Sequence, residues 1–159
     1  MKTNKINFLT QAALIAAAYV VLTIVFAPFG FGEIQVRISE MLTILPIITP
    51  AAVPGLFLGC IIGNTFGGAI LPDIIFGSIA TLIGAVGTYA LRHKPTYIAT
   101  IPPIVSNMLI VPFILKYAYG SPMPIPLMML TVGIGEVISC GVLGTLLGTV
   151  LKKRLVEAQ

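Results

Sequence analysis

Glu33-Ile-Gln-Val-Arg-Ile-Ser-Glu40 holds three charged side chains in eight residues. Around it the chain is almost entirely apolar: 9% of residues are charged, 57% are hydrophobic and the mean hydropathy is +1.06. A soluble domain carries about 25% charged residues, so the chain reads as an integral membrane protein and the stretch as a polar island at the rim of a small-molecule site. With about 20 apolar residues needed per spanning helix, 159 residues suffice for about six crossings. The expected organisation is one all-α transmembrane domain over residues 1–159, with nothing left for a soluble domain.

Upstream of the island, an apolar segment runs from about Ile6 to Ala27 and stops at Pro28. Two lysines precede it as in a signal peptide, but the run is too long for an h-region and is expected to be a retained first helix. Downstream, five segments follow: about Ile38 to Ile48, Gly55 to Ile70, Pro72 to Leu91, Pro95 to Lys116 and Leu127 to Leu155. Small residues recur along them. Ala12/Ala16 and Ala13/Ala17 are small-xxx-small pairs, Gly55, Gly59, Gly63 and Gly67 follow at four-residue spacing, and Gly133, Gly141, Gly144 and Gly148 are expected along one face. Such stripes let helices approach closely in lipid. For the alanines the neighbour is either a helix of the same chain or a partner subunit.

Lysines and arginines collect at Lys2/Lys5, Arg92/Lys94 and Lys152/Lys153/Arg154. Placed on the cytoplasmic side, they require an even number of crossings between them, which six spans with both termini inside supply. The formal charge of +4 is therefore topological and implies no nucleic acid. Cell-membrane localisation follows. Cys60 and Cys140 read as small buried thiols, and neither a metal-ligand cluster nor a redox pair is expected. With His93 the sole histidine and no GxxxxGK[ST] loop, neither a catalytic set nor an ATP site can be assembled. The chain is expected to be no enzyme, to hold no cofactor and to need a partner that supplies energy.

The topology sorts the remaining polar residues by depth. Glu33, Gln35, Arg37 and Glu40 fall at the outer mouth, Asp73 at the outer start of the fourth helix, Asn64 and Asn107 inside the membrane, and Glu136 roughly 15 Å deep. An intramembrane carboxylate costs a few kcal/mol and needs a partner or a wet cavity. Plainer roles exist for each: Glu40 and Asp73 complement helix dipoles, Arg37 pairs locally with Glu33 and Glu40, Glu136 pairs with Arg37. Lys116 is expected to snorkel to the headgroups. The alternation Pro28-Phe-Gly-Phe-Gly32 marks a hinged loop.

Gln35-Val-Arg-Ile-Ser-Glu40, Leu45-Pro46, Thr49-Pro-Ala-Ala-Val-Pro-Gly55 and Asp73-Ile-Ile-Phe-Gly-Ser78 together resemble the QueT family, substrate-capture subunits (S components) of energy-coupling-factor (ECF) transporters. The likeness covers essentially the whole chain. It implies a six-helix fold, a pocket open to the outside, and a lid in the loop between helices one and two, with Phe29, Phe31 and Glu33 as its candidates. It also implies that the alanine face of helix one (Ala12, Ala13, Ala16, Ala17) docks on the membrane subunit EcfT, which works with two ATPases. The associated substrates are queuosine precursors, deazaguanines such as preQ1. Their N–H donors suit the acceptors Glu136, Glu40 and Asp73, with Asn107, Asn64, Gln35 and Arg37 completing the expected binding set. Capture of another small cationic vitamin such as thiamine, or action as a solitary secondary transporter, are the alternatives.

Overall fold

The protein is described here by a computed structural model covering residues 2–30 and 36–157. Among the described residues the fold is made of six helical segments: α1 (Lys2–Val25), α2 (Ile38–Ile47), α3 (Ala52–Phe66), α4 (Leu71–Ala90), α5 (Thr96–Tyr117) and α6 (Ile125–Leu155). A single turn, Ala27–Gly30, follows α1. No strand occurs among the described residues, so the fold is the all-α membrane architecture expected. Four segments, α1, α4, α5 and α6, are long and apolar enough to cross a bilayer. The other two are shorter than a full span. α3, with 15 residues, reaches about 22 Å, and α2, with ten residues in 3-10 form, about 20 Å, against a hydrocarbon core of about 30 Å.

The winding of α2 has local causes. Pro46 lies inside it and lacks an N–H, while the Thr43 hydroxyl donates to the Glu40 carbonyl three residues back at 2.6 Å. Three-residue backbone bonds flank it, Glu40 to Arg37 and Ile48 to Leu45, each 2.9 Å. α3 ends at Phe66 rather than at the expected Ile70, because Gly68 adopts φ +82°. The Ala69 N–H then reaches the Asn64 carbonyl at 2.9 Å and the Gly68 N–H that of Thr65 at 3.4 Å, which is the Schellman stop.

The glycine stripe of α3 is read by α1. A Cβ at Gly55 would meet the Ala12 carbonyl oxygen at 2.7 Å, one at Gly59 the Tyr19 Cβ at 2.9 Å and the Ala16 oxygen at 3.0 Å, and one at Gly63 the Thr23 hydroxyl at 3.1 Å. Successive contacts ascend both helices, so α1 and α3 run parallel. Ala12 and Ala16 are thus covered within the chain, whereas Ala13 and Ala17 are exposed. Of the four alanines expected at a partner surface, Ala12 and Ala16 therefore take part in the α1–α3 contact. α4 and α5 meet as closely, with Gly84 against Pro103 and Gly87 against Pro102. The two prolines sit in the first turn of the helix Ile101–Tyr117, where a missing N–H costs nothing.

In α6 the stretch Val137–Gly144 is wound as a π-helix. Its i→i+5 bonds turn the chain less per residue, so the glycines do not share a face. Gly133 and Gly141 look toward Met108 and Ile104 of α5, Gly144 and Gly148 toward Met41, Ile44 and Ile47 in and beside α2. At the end of α5 the Lys116 ammonium donates to the carbonyls of Ser121 at 3.2 Å and Met123 at 3.3 Å, fastening the α5–α6 turn. The start of α1, the end of α4 and the end of α6 lie at one end of the bundle, which gathers the basic clusters there. Gly59→Val forces α1 and α3 apart and is expected to cost about 1–3 kcal/mol, read as a lowered thermal midpoint in detergent; an unchanged midpoint contradicts the close contact.

Candidate functional site

The molecule is polar inside and apolar outside. Leu14, Phe66, Leu71, Tyr117 and Leu146 are more than half exposed, while Glu40, Asn64, Asp73, Asn107 and Glu136 are buried. Lipid covers the first set; the second must find partners or a ligand. The interior polar groups form two connected layers.

The deeper layer is built around Glu40, which α2 carries to the centre of the bundle. Its Oε1 accepts hydrogen bonds from the Tyr19 hydroxyl of α1 and from the Thr81 hydroxyl of α4, the latter at 3.1 Å. Its backbone carbonyl accepts from Thr43 and, at 3.3 Å, from the Cys140 thiol. Cys140 also lies 3.1 Å from Glu136 Oε2, and Asn107 is a hydrogen-bonding neighbour of Glu136. Ligand atoms of Glu40, Glu136 and Cys140 all lie within 4.8 Å of one another, close enough for a cation to bridge. Sequence reading expected no such set, since its members are up to 100 residues apart. The thiol's hydrogen bonds account for the grouping without an ion. Both cysteines are small buried thiols, as expected, and also border the polar layer: Cys60 packs with Leu42, Leu56 and Ala85 and lies 3.4 Å from the Thr81 hydroxyl and 3.5 Å from Asn64 Nδ2.

The second layer sits nearer the start of α4. Arg37 Nη2 lies 3.6 Å from Asp73 Oδ2, both side chains buried, and the same oxygen accepts the Tyr119 hydroxyl at 3.0 Å. Arg37 therefore pairs across helices with Asp73 rather than only with its sequence neighbours. Tyr119 in turn accepts the Ile70 N–H at 3.4 Å, tying the α5–α6 turn to the N-terminus of α4. Burial and the adjacent Asp73 carboxylate push the Tyr119 hydroxyl above its ordinary value, which keeps it a donor. Asn64 Nδ2 approaches the Asp73 carbonyl at 3.5 Å. Gly77, one turn along α4, leaves room beside these groups: a Cβ there would come within 2.8 Å of Asp73 Oδ1 and 3.4 Å of Asn64 Nδ2. Thr81, the next residue on that face, has its hydroxyl within range of the Gly77 carbonyl at 3.2 Å and of Glu40 Oε1 at 3.1 Å, so α4 joins the two layers.

Three acceptors in these layers have no hydrogen-bond partner among the described residues: Glu40 Oε2, Asn64 Oδ1 and Asp73 Oδ1. Each such buried group costs about 1–3 kcal/mol if left so. Acceptors of this kind are open to N–H donors.

The structure brings Glu40, Glu136 and Asn107 together and places Asp73, Arg37 and Asn64 beside them. Phe31, Glu33 and Gln35 lie outside the described residues, and so does the side chain of Phe29. Sequence reasoning missed Tyr19, Thr81, Thr43 and Tyr119. A signal for Tyr19 existed: Ala12, Ala16, Tyr19 and Thr23 follow at helical spacing on one face.

Several apolar helices enclosing a buried acidic and amide interior define a multi-pass transporter of the cell membrane. Residues 9–153 match the family model described as QueT transporter. The chain belongs to the QueT transporter family. One curated relative, "Queuosine precursor transporter QueT" of Lactococcus lactis subsp. cremoris (strain MG1363), is 33% identical over 85 residues. That alignment covers 52% of this chain and 50% of the relative, about half the length of each. No solved structure matches the chain. Tyr119→Phe removes one donor from Asp73 and the acceptor for Ile70, and is expected to cost about 1–2 kcal/mol, measured as thermal destabilisation in detergent.

Proposed function

We propose that the chain is the substrate-capture subunit of an ECF-type importer, taking a preQ1-like deazaguanine from outside the cell and passing it on through a partner membrane subunit, EcfT, and two ATPases. The observation that carries this reading is the set of buried acceptors without a hydrogen-bond partner among the described residues, Glu40 Oε2, Asn64 Oδ1 and Asp73 Oδ1, on three different helices. A guanine-type edge offers an N–H and an amino group side by side, which a carboxylate accepts in a bidentate pair. An aminomethyl cation adds attraction to the remaining acids. The name of the Lactococcus relative, a queuosine precursor transporter, agrees with this choice of ligand.

In this reading Glu136 and Glu40 accept from the ring, Asn107 and Asn64 read a carbonyl or ring nitrogen, and Asp73 with Arg37 closes the outer mouth. The chain uses no cofactor of its own, and ATP is spent by the partner subunits. Docking on EcfT falls to Ala13 and Ala17, the alanines of α1 left exposed, where small side chains allow a second helix to approach.

Titration of the purified protein with preQ1, guanine and thiamine tests the substrate. PreQ1 is expected to bind most tightly; thiamine binding without preQ1 or guanine binding replaces the deazaguanine with a cationic vitamin. Glu136→Gln is expected to weaken preQ1 capture by at least about 1.5 kcal/mol, roughly tenfold, and equal affinity removes Glu136 from the site. Ala17→Leu is expected to leave preQ1 binding intact and abolish co-purification with EcfT; a retained complex moves the docking face elsewhere.

A further inference from the structure

The two oxygens of Glu40 have unequal surroundings. Oε1 faces two hydroxyl donors, Tyr19 and Thr81, while Oε2 has no hydrogen-bond partner among the described residues although the residue is fully buried. A carboxylate gripped at one oxygen from two helices loses its freedom to rotate, and the direction of its other oxygen becomes fixed. The two donors do not hold equally. Thr81 has a single hydroxyl proton and three acceptors in range: Glu40 Oε1 at 3.1 Å, the Gly77 carbonyl at 3.2 Å and Cys60 Sγ at 3.4 Å. The Tyr19 hydroxyl donates to Oε1.

Tyr19 is also the better anchored of the two. It is 1% exposed, and its Cβ rests on Gly59, the point where α1 and α3 come closest around it. A larger residue at 59 has no room, so the ring cannot retreat along α3. Its rigid ring has few torsions to freeze, and the hydroxyl arrives at Glu40 already placed.

We infer that Tyr19 is a positioning residue for ligand capture: by holding Glu40 Oε1, it presents Oε2 to a ligand N–H without touching the ligand itself. The inference rests on Glu40 being a ligand acceptor, as proposed above. It assigns α1 a part in recognition in addition to packing, and it makes the Gly59 contact a determinant of binding as well as of stability.

Tyr19→Phe keeps the ring on Gly59 and removes only the hydroxyl. Wild-type and variant proteins are titrated with preQ1 and with thiamine, and their ligand-free thermal midpoints are compared. Affinity for the bound ligand is expected to fall about tenfold in Tyr19→Phe, with a much smaller change in the ligand-free midpoint. Combined with Glu40→Ala, the tyrosine change is expected to add nothing, since the group it positions is gone. Where Glu40→Ala does not fold, Thr81→Val takes its place, and removal of both holders of Oε1 is expected to weaken binding more than either change alone. Wild-type affinity in Tyr19→Phe, or losses for Tyr19→Phe and Glu40→Ala that simply sum, overturns the positioning role and leaves Glu40 as a ligand acceptor. Binding of thiamine in place of preQ1 overturns the choice of substrate, and Tyr19 is then judged on thiamine. A wild-type protein that takes neither ligand overturns both.

Discussion

Near-contact of two backbones, α1 on α3 at Gly55 and Gly59, is the constraint on which the interior depends. A Cβ at Gly55 would sit 2.7 Å from a main-chain oxygen of α1, closer than packed atoms tolerate, so only glycine permits the approach. In lipid there is no gain from expelling water between helices; contact area and small residues must hold them. Once α1 lies this close, Tyr19 is carried past α3 to Glu40, and the carboxylate acquires a donor that no lipid could supply. The same approach consumes Ala12 and Ala16 and leaves Ala13 and Ala17 on the far side of the helix.

A second constraint is the placing of a non-spanning element at the centre. α2 is too short to cross on its own, and its 3-10 winding leaves poorer hydrogen-bond geometry than an α-helix. Such a segment survives in a membrane only when surrounded by protein, and α2 is so surrounded: Glu40 meets α1 and α4, and Met41 and Ile44 meet Gly144 and Gly148 of α6. The π segment of α6 begins immediately after Glu136. It turns Cys140 toward both Glu136 and the Glu40 carbonyl. Departures from α geometry thus coincide with the polar core, on both of the elements that carry its deeper carboxyl groups.

How much of this was legible in the sequence follows from what each signal measures. Charged and amide residues in apolar runs stand out one at a time, so Glu40, Asn64, Asp73, Asn107 and Glu136 could be picked without a structure. Segment ends were legible wherever a breaker sits, and less so at Ile70, where the stop depends on a positive φ at Gly68. Hydroxyls such as Thr81 and Thr43 carry no such flag, because threonine is ordinary in a membrane helix and its meaning comes from what it faces. Helix winding was invisible: apolar spacing in Val137–Gly144 does not announce i→i+5 bonds, and the four α6 glycines were read with the wrong period. The division of the alanines between an inner and an outer face needed the phase of α1 against α3, which spacing alone does not supply.

Charge bounds what this interior can hold. Among the described residues, three buried carboxyl groups, Glu40, Asp73 and Glu136, accompany one buried guanidinium, Arg37, which lies against Asp73. Glu40 and Glu136 have hydroxyl, thiol and amide neighbours, with the single guanidinium of Arg37 in electrostatic reach of both. An anionic ligand entering beside them meets like charge in a medium that screens poorly. A neutral ligand with several donors satisfies the acceptors but leaves the imbalance. A donor-rich cation does both, and its charge is worth more here than at a surface because little water remains to compete. Under the capture role proposed above, this excess of acid over base favours a cationic ligand, and the pairing of a ring amide edge with an aminomethyl group would meet that condition where plain guanine would meet only half of it.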